Sequence, residues 1–319
     1  MLYYNPVKQG NLILSVDMIR IDFKLHTGNH VSGMTYPDYF CNWLDSQMWI
    51  DTDAYTSFGW FKYKYVFKCQ CDVDVSFSLG IGFNGAVGVD DNRRGFLEFN
   101  PNKLLHGFTH MNIDFDNMDG SESDIVDNWE KFFRVYNKLC NLCVDMTVKR
   151  WDLAVDIPVS RQDVVLCKDR RNYMQFRVSD ADYTEYLGKR STGNYCKLYN
   201  KQLESGLDYP LTRLEMTLEL GGYDSFMETY PKVYIQFDVS LDNVDLNLTD
   251  KVLCKLLLEK TLDERVKYLF QLGRTKQEKL KPIILTGGQS AVVVSEESYN
   301  SLLREVVYWH KPFMAQEAR

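Results

Sequence analysis

Arg150-Trp151-Asp152-Leu153-Ala154-Val155-Asp156 alternates polar and apolar side chains, and that alternation decides the fold. Successive side chains of an extended chain point to opposite faces, so Arg150, Asp152 and Asp156 share one side and Trp151, Leu153 and Val155 the other. The stretch reads as a strand with one face in a core, running to Ile157 and closed by Pro158. Three more segments repeat the pattern. They are Leu97-Glu98-Phe99-Asn100, then Tyr195-Cys196-Lys197-Leu198-Tyr199-Asn200-Lys201, then Arg213-Leu214-Glu215-Met216-Thr217-Leu218-Glu219. The second gathers Tyr195, Lys197, Tyr199 and Lys201 on one face. An ordinary solvated face mixes Thr, Ser, Lys and Glu without a theme. Here the polar faces carry a phenol, several carboxylates and a row of cations, the side chains that attack on a phosphodiester requires.

Outward from these segments the strand reading continues. Between Ile13 and Leu25, the residues Ile19, Ile21, Phe23 and Leu25 alternate with Arg20, Asp22 and Lys24. Trp60 to Phe67 and Asp72 to Leu79 alternate likewise and are expected to pair. Strands are predicted around Tyr173 to Val178 and Thr184 to Leu187, with a short helix near Gln162 to Arg170. Ser121, with Asp124 three positions on, suits a helix start, and the helix is expected to reach about Val144. Beyond Thr249 the period becomes helical through Val252, Leu253, Leu256 and Leu257, and Thr261 with Glu264 suits a second capping box. Ser295 is the expected cap of a last helix carrying Tyr299, Leu302, Leu303, Val306 and Val307. The predicted fold class is therefore α+β, with an antiparallel, sheet-rich domain over residues 1–230 and a mostly helical region over 231–319.

Bulk properties exclude several classes. A chain of 319 residues with 45% hydrophobic and 14% aromatic side chains can bury a sizeable core and is not disordered. No apolar run is long enough to span a bilayer, and Met1-Leu2-Tyr3-Tyr4-Asn5-Pro6 lacks the charged and apolar regions of a signal peptide. A cytoplasmic protein without a membrane partner is the expectation. Eight cysteines in a chain this long are not the framework of a small secreted domain. Cys69/Cys71 and Cys140/Cys143 lack the compact spacing of a structural zinc site, and the second pair closes an amphipathic helical pattern. Gly80-Ile81-Gly82-Phe83-Asn84-Gly85 matches a dinucleotide fingerprint, but no helix opens after it to receive a pyrophosphate.

A net charge of −7 argues against coating nucleic acid nonspecifically. The charge is uneven. Asp114 to Glu130 holds seven acidic residues and no basic one, whereas nine basic residues face five acidic ones between Arg161 and Lys201. The basic stretch leads up to Tyr199. A second basic cluster, Arg274, Lys276, Lys279 and Lys281, reads as solvated surface.

Read in order, Phe96-Leu97-Glu98-Phe99-Asn100-Pro101-Asn102-Lys103, Arg150 to Asp156, Tyr186-Leu187-Gly188-Lys189-Arg190-Ser191, Lys197-Leu198-Tyr199-Asn200-Lys201 with Glu204, and Thr212-Arg213-Leu214-Glu215 follow one another as in the replication initiation factor (Rep_trans) family. The chain resembles that family between residues 15 and 225, with patchy likeness between the motifs. The resemblance implies a fold related to the histidine–hydrophobe–histidine endonucleases, with acidic residues in place of the histidines, and no His-x-His occurs here. It implies site-specific nicking and rejoining of one DNA strand, to start rolling-circle replication of a plasmid, phage or mobile element. A conjugative-element relaxase shares that chemistry. The partners implied are origin or transfer-origin DNA, single-stranded or cruciform, a second copy of the chain, and a host helicase.

Carried over by position, Tyr199 matches the family's nucleophile, leaving a 5′-phosphotyrosine and a free 3′-hydroxyl. A phenol ionises near pH 10, so Lys197 and Lys201 are expected to lower its pKa, and Arg213 to grip phosphate. Glu98, Asp152, Asp156 and Glu215 are the expected ligands of Mg2+ or Mn2+, which all-oxygen sites favour. Arg150, Lys189, Arg190 and Tyr195 are the expected DNA contacts, and Tyr195 is the rival nucleophile. The contrasting readings are a DNA-binding regulator without catalysis and a metal-dependent phosphodiesterase that uses water.

Overall fold

A computed structural model of the chain describes residues 6–51, 63–72, 75–84, 90–106, 122–180, 182–189, 195–236, 241, 244–260, 262–286 and 289–309. The chain begins with β1 (Val7–Gln9), β2 (Leu12–Leu25), α1 (Tyr36–Asp45), β3 (Ile50–Asp51), β4 (Tyr63–Asp72), β5 (Val75–Asn84) and β6 (Asp90–Phe99). It continues through α2 (Pro101–His106), α3 (Glu122–Cys140), β7 (Cys143–Ile157), β8 (Val164–Leu166), β9 (Tyr173–Arg177), β10 (Tyr183–Leu187), β11 (Tyr195–Asn200), α4 (Lys201–Ser205) and β12 (Thr212–Leu218). It ends with α5 (Tyr223–Thr229), β13 (Val233–Gln236), α6 (Leu248–Leu258), α7 (Leu262–Leu269), α8 (Arg274–Thr286), β14 (Gln289–Ala291) and α9 (Glu296–Tyr308).

Eleven strands form one antiparallel sheet in the order β3-β4-β5-β6-β2-β7-β12-β11-β10-β9, with β1 paired to β2. The fold is α+β, as the alternation predicts. The central strands β2 and β7 place Ile19, Ile21, Trp151, Leu153 and Val155 in one core. Helices α3 and α9 cover that face. Trp309, just past α9, lies 4.9 Å from the ring of Tyr136, 5.2 Å from Phe99 and 5.8 Å from Phe132. Tyr299 lies 4.5 Å from Phe226 and 5.8 Å from Trp151. Burying each such side chain contributes about 1.5–3 kcal/mol, so these rings fasten the last helix to the sheet. Ser295 caps α9 by accepting from the amide of Ser298 at 3.2 Å.

The residues after 230 divide between two cores. Leu241, Cys254, Leu257, Leu269, Leu280 and Ile284 form a separate cluster around α6 to α8. By contrast, β13 and β14 join β8 in a three-stranded sheet, and α9 belongs to the main core. Two local expectations are corrected. The predicted helix at 162–170 is a single 3-10 turn, Arg161–Asp163, followed by β8, because the buried Val164 and Leu166 follow a strand period. Strand β7 begins at Cys143, seven residues before Arg150, and α3 ends at Cys140. Trp60, Ser121 and Thr261 lie outside the described residues.

Gly80 and Gly82 of the false nucleotide fingerprint have structural roles in β5. A Cβ on Gly80 would sit 2.1 Å from the ring of Phe96, and Gly82 takes φ +85° where the β5–β6 register shifts. Above that Phe96 ring lies the Arg20 guanidinium, 4.4 Å from its centroid. Gly80→Ala is therefore expected to lose about 1–3 kcal/mol of stability by overpacking, read from the urea midpoint.

Candidate active site on the polar face of the sheet

Antiparallel register turns the sequence alternation into a grid. Tyr199 on β11 lies opposite Arg213 on β12, which lies opposite Asp156 on β7. In the next polar row Lys197 lies opposite Glu215 and Glu215 opposite Ala154, and beyond it Tyr195 lies opposite Thr217, which lies opposite Asp152. Further across the sheet Arg150 lies opposite Arg20 and Arg20 opposite Glu98. All four predicted strand segments therefore contribute to one face, and chain-distant residues meet there.

The phenol sits inside a short relay. Tyr199 donates to Oε2 of Glu215 at 3.4 Å, and Lys197 Nζ reaches the same oxygen at 2.8 Å. Lys197 Nζ also lies 4.6 Å from the centre of the Tyr199 ring. The tyrosine is 7% exposed, while the Lys197 side chain is 28% exposed. Burial pushes the phenol's pKa well above its usual value; Arg213 pulls it down and Glu215 pushes it up. The expectation that neighbouring lysines would lower it is corrected, because desolvation outweighs the cations. Burial also raises the Glu215 carboxyl, as does nearby Asp17, against the pull of Lys197.

Lys201 begins α4 instead of ending the strand, since Asn200 caps that helix by accepting from the amide of Leu203 at 3.0 Å. Its ammonium bonds Glu204 and lies 5.9 Å from the Tyr199 ring centre.

The second cluster is a buried arginine clamp. Arg213 donates from Nε and Nη2 to the two oxygens of Asp156 at 2.6 and 2.8 Å, and from Nη1 to Asp17 at 2.8 Å. It is fully buried, so its fork holds two carboxylates and is not presented to a phosphate. Asp17 is the residue that alternation misses. Counting back by twos from Arg20 leaves it on the core face, but a register shift between Val16 and Met18 reverses the phase and brings it to the polar face. Asn100 also donates to it, at 3.3 Å.

The third cluster pairs Glu98 with Arg20 at 3.4 Å and with Arg150 at 3.6 Å. The four carboxylates expected to hold a metal are thus distributed among cations: Asp156 to Arg213, Glu98 to Arg20 and Arg150, and Glu215 to Lys197. Asp152 is buried beside them and acts electrostatically on Glu215. Among the described residues no three His, Cys, Asp or Glu side chains stand together in a way that could hold a metal ion. The expected four-ligand site does not fit this arrangement. Lys189 is exposed after β10, and Arg190 lies outside the described residues. Tyr195 is half-buried and stacks on Tyr186 with centroids 5.9 Å apart.

A cleft of about 600 Å³ opens elsewhere, between Cys167–Arg171 and Met227–Tyr230, and none of the residues expected at the site lines it. No described helix is long and apolar enough to cross a membrane.

No protein-family model matches the chain, and comparison with curated proteins gives no match. Among solved structures, a rolling circle replication initiator protein from Geobacillus stearothermophilus is similar at 14% identity, over 73% of this chain and 90% of that one, with a TM-score of 0.38. The functional reading rests on the side chains described above.

Proposed function

We propose that the protein nicks and rejoins one strand of DNA through Tyr199, initiating rolling-circle replication of a plasmid, phage or mobile element. The observation that carries the reading is the Tyr199–Glu215–Lys197 relay on the polar face of the sheet. The order of the sequence motifs supports it. In the cleavage step Glu215 accepts the phenolic proton as the Tyr199 oxygen bonds to phosphorus. The bond from phosphorus to the 3′ oxygen breaks, and that oxygen leaves as a 3′-hydroxyl after taking the proton that Glu215 received. The strand's 5′ phosphate stays on Tyr199, and reversal of the step rejoins the ends. Lys197, half-buried beside the reacting atoms, offsets charge developing on the phosphate. A conjugative relaxase uses the same steps, and a second copy of the chain and a host helicase are the partners the motif resemblance implies.

A supercoiled-plasmid assay on cognate origin DNA tests the reading, with Mg2+, with Mn2+ and with EDTA. Wild-type protein is expected to nick, and the three conditions show whether a divalent ion is needed. A second reading, a DNA-binding regulator without catalysis, is favoured by the burial of Tyr199 and the pairing of the carboxylates. Origin binding without cleavage in any of the three conditions supports that reading instead.

The pH profile follows from Glu215. An acid whose pKa is raised holds its proton to higher pH, so the basic form needed to accept the phenolic proton is lost at a pH above the usual carboxylate value of 4.5. Single-turnover cleavage is expected to fall on the acid side with an apparent pKa above 4.5, and this limb should vanish in Glu215→Gln, with a lower rate throughout. A limb unchanged in the variant assigns the titration to another group.

A further inference from the structure

The polar face does not end at Lys197. Register continues it from Lys197 to Tyr186 on β10 and from Tyr186 to Met174 on β9, with Phe176 opposite Thr184. Tyr195 stacks on Tyr186 at an interplanar angle of 27°. Met174, Phe176 and Val178, alternate residues at the sheet edge, are 61%, 64% and 69% exposed. Edge strands of soluble sheets usually carry charges that deter pairing, and an exposed apolar row on one needs an occupant. Here the row passes into two tyrosines and then into the ammonium of Lys197. Lys189, exposed after β10, lies at the end of the strand that carries Tyr186.

We propose that this face is a stacking platform for the bases of a single DNA strand, with Tyr195, Tyr186 and Phe176 as the ring surfaces and Met174 filling between them. Tyr195 and Phe176 each lie diagonal to Tyr186 across their strand pairs, the first with ring centres 5.9 Å apart, and diagonal neighbours stand about 7–8 Å apart, a spacing that lets successive splayed bases each meet a side chain. Lys197 and Lys189 supply the charge that a phosphate backbone requires, in a chain whose net charge of −7 otherwise repels it. The strand so held runs along the sheet face toward Tyr199, so the platform positions DNA for the relay and touches none of the reacting atoms. A second copy of this chain is the other occupant of an apolar edge, and sedimentation distinguishes it from a DNA strand.

The inference rests on the reading that DNA is the ligand, and its test separates the two. Anisotropy of a labelled single strand of about a dozen nucleotides, within the usual site sizes, is measured beside an abasic strand carrying the same number of phosphates. Phe176→Ala, a change at an exposed position, is expected to weaken binding of the normal strand by roughly five- to 150-fold, the range for one lost base stack, and to leave abasic binding unchanged. Tyr186→Phe, which keeps the ring, should bind as wild type does. Equal loss on both strands, or no loss on either, overturns the platform. Sedimentation showing that Phe176→Ala dissolves a dimer while strand affinity stays constant overturns it in favour of self-association. If wild-type protein nicks DNA and Phe176→Ala binds normally, the platform alone is wrong. If Tyr199→Phe cleaves like wild type while Phe176→Ala loses strand affinity, the nucleophile assignment alone is wrong.

Discussion

Tyr199→Phe is expected to abolish strand cleavage, by at least about a thousandfold, because it removes the oxygen that forms the covalent link while Glu215 and Lys197 stay paired to each other. The fold should survive. The lost hydrogen bond to Glu215 is long, at 3.4 Å, and such a contact contributes about 1 kcal/mol or less. Origin binding should also persist, since the ring remains between Lys197 and Lys201. The informative comparison is Tyr195→Phe. Tyr195 is more open to solvent and stands two residues away on the same strand face, so it is the residue most able to replace Tyr199 as nucleophile. It lies opposite Thr217, one row from the pair of Lys197 and Glu215, and its phenylalanine variant is expected to retain cleavage. Loss in Tyr195→Phe with retention in Tyr199→Phe would exchange the two roles.

Arg213→Leu is expected to cost about 3–5 kcal/mol of stability. The guanidinium is fully buried, and its removal leaves Asp156 and Asp17 as carboxylates without their principal counter-charge. Arg213→Lys should recover little, because one ammonium cannot reproduce two parallel bonds to Asp156. The double variant Arg213→Leu with Asp156→Leu should recover a large part, since an apolar pair of similar volume often replaces a buried ion pair without loss. Urea unfolding of the three proteins measures this. A loss below about 1 kcal/mol in Arg213→Leu would mean that the clamp contributes little to stability.

Much of the face was legible in the sequence because alternation is a property of the backbone. Once Trp151, Leu153 and Val155 are buried, Asp152 and Asp156 must point the other way, and likewise Lys197 and Tyr199 once Cys196 and Leu198 are buried. The cap of α9 was equally readable, since Ser295 precedes a helical period. Pairing across strands was not. Nothing in Arg213-Leu214-Glu215 tells that the arginine selects Asp156 and the glutamate Lys197, and those choices dismantle the expected metal site. Asp17 was hidden by a bulge, which changes the parity of a strand without changing its composition. The turn at Arg161–Asp163 was read as a longer helix because Arg161 and Val164 stand at helical spacing, whereas Val164 and Leu166 stand at strand spacing, and so short a span does not decide between them. Burial of the phenol was also beyond the sequence, since a half-exposed and a buried tyrosine occupy the same position in an alternating strand.

Mass spectrometry of tryptic peptides after incubation with single-stranded origin DNA and nuclease trimming tests the covalent chemistry most directly. The expected result is a peptide containing Tyr199 that carries a nucleotide through its 5′ phosphate, with fragment ions placing the added mass on Tyr199. An adduct on Tyr195, or cleaved DNA with free 5′ phosphates and no modified peptide, would contradict the role assigned to Tyr199.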